Sequence, residues 1–265
     1  MKKIVLAIVF FVNLYSSEEV KICDDIAEWP PFTYYKRINN KVDKSQLEGA
    51  TVELVKHIFD EINMKYSISL IPWKRCTSLV DKYNKAHKYE MFLDATYTKE
   101  RAQKYYITLP IYSTQNVIWF SKKKYTKKEL LNKIEHDVNS IRFCDAHGYE
   151  VEKYYKVLGV DRNISIDVGA KDQCAVLRKI SLGRCDAMVA SKVPIFGYNV
   201  IGKCNIPKDI TFITIDKFKK TNFYIFIAKT SPRGKQLLEK INKAIIKLKK
   251  DGTYKRIFSK YLPSE

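Results

Sequence analysis

No Gly/Ser-rich or Pro-rich stretch breaks this chain, which holds only 9 glycines and 8 prolines in 265 residues. Any two lobes in it are therefore joined by ordinary ordered segments rather than by a flexible linker. Histidine is rarer still. His57, His87, His136 and His147 are scattered, and none of the six cysteines (Cys23, Cys76, Cys144, Cys174, Cys185, Cys204) belongs to a CxxC pair. Zinc needs such ligands clustered, so no metal is expected. Internal repeats, a glycine-rich phosphate loop and a nucleophile–base pair are also missing, which leaves no cofactor and no enzyme signature to expect. Acidic residues are the minority charge, 29 against 48 basic, for a net charge of +19. The excess is nearly all lysine, spread along the chain without a compact basic cluster. It reads as a compositional bias, and no nucleic-acid partner is expected.

What is present begins at the N-terminus. Met1-Lys2-Lys3 precedes an apolar run from Ile4 to Tyr15, broken only by Asn13, and then Ser16-Ser17-Glu18-Glu19. About a dozen apolar residues cannot span roughly 30 Å of hydrocarbon as a helix, whereas the length suits the h-region of a signal peptide. Residues 1–17 are therefore expected to be a cleaved leader, although no A-x-A site marks the cut. No later run reaches transmembrane length, so the mature protein is expected to be soluble and exported. The 46% hydrophobic content suffices for real cores. In an exported chain the six cysteines can form up to three disulfides, among which the sequence does not choose.

Short β-rich runs (Val20 to Cys23, Tyr66 to Ile71, Asn116 to Phe120, Ser140 to Cys144, Ala187 to Ala190, Ile210 to Ile215, Phe223 to Ala228) alternate with helical patterns. One helix is read over Gly49 to Asn63, with Val52, Val55, Ile58, Phe59 and Ile62 on one face. A second is read from Ser231-Pro232, with Leu237, Leu238, Ile241, Ala244, Ile245 and Leu248 inward, to Gly252. Such alternation predicts α/β layers around a largely parallel sheet, with ligands beyond the carboxyl ends of its strands.

Three stretches look chemical. In "DDIAEWPPFTYY" (Asp24 to Tyr35) a Pro pair ends the first strand and fixes the loop that carries Glu28, Trp29 and Phe32. Trp29 is the pocket candidate, and Phe32 suits a core. In "IPWKRC" (Ile71 to Cys76) the second strand is read as running on, so that Trp73 and Arg75 stand on alternate positions to stack on a ligand and grip an anion. In "FLDATYTKERAQKYYITLP" (Phe92 to Pro110) a strand end with Asp94 and Ala95 leads through Thr96 and Thr98 into a helix start with Arg101. Hydroxyls and a guanidinium converging there make an oxyanion site.

Taken in order and spacing, "EWPPFTYY", "IPWKRC", "ATYTKER…ITLP", "CDAHGYEVEKYY", "LRKISLGRCDAMVAS" and "INKAIIKLKKDGTYKRIFSKYL" resemble the motifs of periplasmic solute-binding proteins of the polar amino-acid type, over nearly the whole mature chain. The resemblance implies a two-lobed type II periplasmic-binding-protein fold, with two crossover hinge strands and a cleft between the lobes. Lobe 1 would comprise about Glu18 to Tyr112 plus Tyr224 to Glu265, lobe 2 about Val117 to Lys219, and the hinge Ile111 to Asn116 and Lys220 to Phe223. Arg101 matches the family arginine that pairs with a ligand α-carboxylate, assisted by Thr96. Trp29 matches an aromatic packed on the ligand, and Gly148 and Tyr149 match a second-lobe loop whose N–H groups face the carboxylate.

Two positions depart from the family pattern. Where many amino-acid binders carry an ammonium-holding Asp, this chain has Ser191 followed by Lys192, and Asp94 replaces a small residue. A hydroxyl alone pairs poorly with a buried cation. Glu28, Asp25 or Asp94 supplies the acid instead, or the ligand is no standard α-amino acid. The resemblance thus implies a monomeric periplasmic protein that captures a carboxylate-bearing solute for an ABC importer permease, and not an enzyme. The alternatives on the same fold are a dehydratase resembling cyclohexadienyl dehydratase, with Glu28 or Asp94 as general acid, and a soluble sensory partner.

Overall fold

In the computed structural model the described residues are 19–39, 41–149, 151–161 and 163–262, so the expected leader at 1–17 lies outside them. The chain first lays down β1 (Val20–Asp25), β2 (Tyr34–Ile38), β3 (Lys41–Glu48), α1 (Ala50–Glu61), β4 (Tyr66–Ile71), α2 (Trp73–Asp81), α3 (Tyr83–Ala86), β5 (Met91–Thr96), α4 (Lys99–Lys104), β6 (Tyr105–Ile107) and β7 (Tyr112–Thr114). It then crosses into β8 (Asn116–Ser121), α5 (Lys127–His136), β9 (Cys144–Ala146), α6 (Glu152–Leu158), β10 (Asp167–Ala170), α7 (Gln173–Ser181), β11 (Ala187–Ser191), α8 (Lys192–Val200) and β12 (Ile210–Ile213). It returns through β13 (Thr221–Ala228) to α9 (Gly234–Lys250) and α10 (Thr253–Tyr261).

The first sheet runs β4-β1-β5-β13-β6, with β7 also on β13. β1 lies parallel to β4 and β5, but β13 is antiparallel to β5, β6 and β7. The second lobe centres on β8, with β11 and β12 antiparallel to it. The parallel pair β9 and β10 attaches through a bridge from Phe143 to Ala187. The expected largely parallel sheet is thus corrected to a mixed one. β13 re-enters the first sheet from the second lobe, so it runs against β5. In each lobe a sheet is covered by helices around its own core. Ile22, Leu54, Phe59, Met91, Ile225 and Ile241 mark the first, and Trp119, Val176, Leu177, Met188 and Tyr198 the second. Each such side chain stabilises its lobe by about 1.5–3 kcal/mol through burial alone.

Local chemistry explains where the elements begin. Gly49 precedes α1 at φ 128, and a Cβ there would lie 2.1 Å from the Phe32 carbonyl oxygen, so only glycine fits. The buried face of α1 is Leu54, Val55, Ile58 and Phe59, with Val52 and Ile62 at its edge. α9 starts at Gly234 rather than at Pro232, because Ser231 turns its hydroxyl to the buried carboxylate of Glu90 (2.6 Å), which Arg233 also grips (2.7 Å). The strand expected at Ser140 to Cys144 instead begins at Cys144. Residues Val138–Ser140 form a 3-10 turn closed by the Ser140 hydroxyl on the Asp137 carbonyl (2.9 Å). All six cysteines are paired, as Cys23–Cys76, Cys144–Cys185 and Cys174–Cys204.

Candidate functional site

β1 ends in Asp24 and Asp25 and β5 carries Asp94 two residues before its end, and the start of β8 and the end of β11 face them across the cleft. Between these edges lies a cavity of about 760 Å³, counting its open mouth. Of the residues singled out from the sequence, Glu28, Trp29, Trp73, Asp94, Ala95, Thr96, Arg101, Gly148, Tyr149 and Ser191 line it. Arg75 does not. The segment after β4 turns into α2 at Trp73 instead of continuing as a strand, so positions two apart diverge around a helix, and Arg75 is exposed.

Arg101 is fixed by its own loop. Thr98 caps α4, its hydroxyl accepting the Arg101 N–H at 3.0 Å. The guanidinium donates to the Thr96 carbonyl (2.7 Å) and hydroxyl (3.1 Å), and its carbon lies 5.8 Å from the Trp73 ring centre and 5.9 Å from that of Phe226. Trp73 in turn meets Phe92 edge-on at 5.5 Å. Opposite, Gly148 at φ 85 leaves room beside Trp73, 3.6 Å from where its Cβ would be. Trp29 donates its indole N–H to Tyr112 (3.1 Å) and packs at 5.8 Å on Tyr149 and 5.9 Å on Phe223. Burial pushes the Tyr149 phenol up, and its backbone N–H closes a turn on the Ala146 carbonyl at 3.4 Å. Among the described residues that line the cavity, Arg101 is the only lysine or arginine, against the carboxyl groups of Asp24, Asp25, Glu28 and Asp94.

Those four carboxyls differ in how far they are already engaged. Glu28, at φ 62, accepts from the Tyr35 N–H (2.9 Å) and from both arms of Arg37 (2.6 and 2.8 Å), and Lys203 stands 3.5 Å away. Burial pushes its carboxyl up, but Arg37, the Tyr35 N–H and Lys203 outweigh it and hold the group below the usual carboxylate range. A general acid needs the opposite shift, and a carboxylate so occupied has little left for a ligand. Asp94, at φ 51, accepts from Thr33 (2.6 Å) and Thr51 (2.7 Å). Burial nevertheless raises it. Asp25 is raised by burial and accepts the Ala27 N–H at 3.0 Å. Asp24 is 2% exposed and is raised well above its ordinary value, by burial first and by Asp94 second. One of its oxygens takes the Asp25 N–H at 2.8 Å. Its carboxyl group lies against that of Asp94, while Gln173 Oε1 and Ser191 Oγ are buried without a hydrogen-bond partner. The sequence reading missed Asp24 and Gln173 as site residues. The only available signal for Asp24 was its position at the carboxyl end of β1.

The two lobes also touch beside the cavity. Tyr198 on α8 donates to the Glu28 carbonyl (2.8 Å), Lys203 donates to the Ala27 carbonyl, and Gly197 packs so tightly that a Cβ there would meet the Pro30 oxygen at 2.5 Å. No helix among the described residues is long and apolar enough to cross a membrane.

Two lobes, each a helix-covered sheet, meeting around a polar and aromatic cavity at their strand ends define the type II periplasmic-binding architecture. The chain belongs to the family described as bacterial extracellular solute-binding proteins, family 3, which it matches over residues 22–264. No curated protein matches it in sequence. Among solved structures it is similar to the arginine-, lysine-, histidine-binding protein ArtJ from Geobacillus stearothermophilus, at 18% identity over 94% of this chain and 96% of that one, with a TM-score of 0.71. A histidine kinase sensor domain with similarity to periplasmic binding proteins superposes at TM-score 0.73 and 15% identity, over 94% and 97% of the chains. The ancestral amino acid-binding protein AncCDT-1, a precursor of cyclohexadienyl dehydratase, does so at 0.69 and 18%, over 92% and 94%.

Proposed function

We propose that this solute-binding protein is exported by cleavage of residues 1–17, acts as a monomer in the periplasm, and captures a small carboxylate-bearing solute for an ABC importer permease. The observation that carries this reading is Arg101. It is a guanidinium anchored on Thr96, backed by aromatic faces and set in a cavity whose lining holds no other lysine or arginine among the described residues. A forked cation in a partly dry cleft is matched best by a carboxylate. In this reading Trp29 and Trp73 pack on the solute from lobe 1, Ala95 and Thr96 offer the strand-end backbone, and Gly148, Tyr149 and Ser191 close from lobe 2. Residues 111–116 and 220–223 serve as the hinge between lobe 1 (18–112 plus 224–265) and lobe 2 (117–219), and the bound solute stabilises the closed form.

A thermal-shift screen with amino acids and organic acids tests the assignment. A ligand at about a hundred times its Kd adds about 2.7 kcal/mol, or roughly 5–10 °C for a chain of this size. Arg101→Ala should abolish the shift, and an unchanged shift in that variant refutes the carboxylate reading.

A further inference from the structure

The lysine excess, which reads as diffuse along the sequence, is concentrated by the fold on one outer face of the first lobe. Helices α9 and α10, Gly234 to Tyr261, hold nine lysines and arginines against Glu239 and Asp251 alone, so seven of the chain's net nineteen charges fall on 28 of its 265 residues. α9 buries Leu237, Ile241, Ala244, Ile245 and Leu248 in the core. Its opposite side is exposed and carries Lys240, Lys243, Lys247 and Lys250 at spacings of three and four, which sets four ammonium groups in one row about 15 Å long. Ile246, 55% exposed, stands beside that row. Few acids answer it. On the neighbouring α1, Glu61 takes Lys247 (2.7 Å) and Glu53 takes Lys260 (2.7 Å). Lys235, Lys240, Lys243, Lys250 and Lys255 form no ion pair among the described residues.

We infer that this face docks the protein on the surface of a bilayer rich in anionic phospholipid. The inference stands whichever solute fills the cavity. Like charges along one helix face repel one another, and a row without counter-charges is stabilised by the anionic surface that covers it. Lysine is depleted in protein–protein interfaces, whose binding energy comes from aromatic and arginine side chains seated in pockets. α9 has no aromatic residue and no arginine. Its flexible, strongly hydrated ammonium groups suit a diffuse negative potential that demands no fixed geometry, and anionic lipid head groups supply one. Because the apolar side of α9 is buried in the core, the contact is electrostatic, with Ile246 as a single apolar side chain at head-group level. None of the residues that line the cavity lies on α9 or α10, so the contact leaves the cavity lining untouched. Docking confines the protein to the layer beside the membrane and raises the frequency of its encounters with any membrane-borne partner.

The test sediments the chain from Glu18 onward with phosphatidylcholine vesicles, and with vesicles about one-third phosphatidylglycerol, at about 0.1 M and about 1 M salt. We expect it to sediment with the anionic vesicles alone, and only at the lower salt, since the Debye length shrinks from about 10 Å to about 3 Å. Lys240→Gln, Lys243→Gln and Lys250→Gln together should weaken the partition about 100-fold, because each lysine near such a surface contributes about fivefold. The three positions are exposed and glutamine forms helix about as well as lysine, so the melting temperature should not move. Lys127→Gln, Lys128→Gln and Lys208→Gln remove the same charge from exposed positions of the second lobe and should weaken the partition far less. Equal losses in the two triple variants would show that net charge alone acts, and would overturn the assignment to α9. Failure to bind anionic vesicles at the lower salt, or equal binding to neutral ones, also overturns it. So does a loss of duplex-DNA binding in the α9 variant that exceeds its loss of vesicle binding, which would give the face to nucleic acid.

Discussion

At Gly197 on α8 an added Cβ would stand 2.5 Å from the Pro30 carbonyl oxygen and 2.6 Å from its carbon. Both are backbone atoms of the other lobe, about 1 Å inside ordinary contact, and neither can swing aside as a flexible side chain would. Gly197→Ala therefore acts on the closed arrangement. Overpacking of this kind costs about 1–3 kcal/mol, which lowers ligand affinity about 5- to 150-fold if closure and binding are linked. Within α8 itself the same change is favourable, since alanine gains up to about 1 kcal/mol over glycine in a helix. The two effects separate cleanly in experiment. The ligand-free variant should melt at or slightly above the wild-type temperature, while titration with the best ligand of the amino-acid panel shows weakened binding. Small-angle scattering with ligand should give a larger radius of gyration than the wild type. Unchanged affinity and unchanged scattering in a well-folded Gly197→Ala would refute the view that this contact holds the lobes together.

Stability should depend on pH through Asp145, which is fully buried, accepts a hydrogen bond from Tyr155 at 2.5 Å, and is raised by burial to about 7 from 3.8. The folded chain keeps a proton that the unfolded chain releases. The contribution is thus complete below about pH 4 and is lost as pH rises through about 7, worth up to about 4 kcal/mol. Asp24, Asp25 and Asp94 are raised as well and act with the same sign. The melting temperature should fall between about pH 4 and pH 7, and Asp145→Asn should flatten the curve; a rise over that range contradicts the assignment. The bond between Cys144 and Cys185 spans 41 residues. Changing both to serine should cost about 4 kcal/mol and lower the melting temperature by about 10 °C, read by calorimetry, and a loss under about 2 °C would show that the bridge does not constrain the unfolded chain.

The parts of the site legible in the sequence were those set by strand ends. Trp29 and Arg101 follow β-rich runs whose carboxyl ends any α/β sheet turns toward its ligand, and the hydroxyl-rich stretch at Thr96 and Thr98 is a recognisable helix entry. Arg75 failed because a Pro-initiated helix and a continuing strand read alike over two residues, and only the helix sends its third residue outward. Asp24 and Gln173 stayed hidden because their burial at the cavity wall depends on what packs around them. Glu28 looked available beside Trp29, yet its partner Arg37 lies on β2, part of the exposed hairpin of β2 and β3 that carries too little apolar alternation to be read as strand.

The bridges Cys23–Cys76 and Cys174–Cys204 have a consequence for the life of the molecule. Cys23 adjoins Asp24 and Cys76 shares α2 with Trp73, while Cys174 adjoins Gln173 and Cys204 adjoins Lys203. Each cross-link therefore pins one bank of the cleft. A chain that has not yet been oxidised would hold these groups loosely and compete poorly for solute. Thiol oxidation would then act as a maturation checkpoint, and only a fully bridged molecule would present a finished cavity.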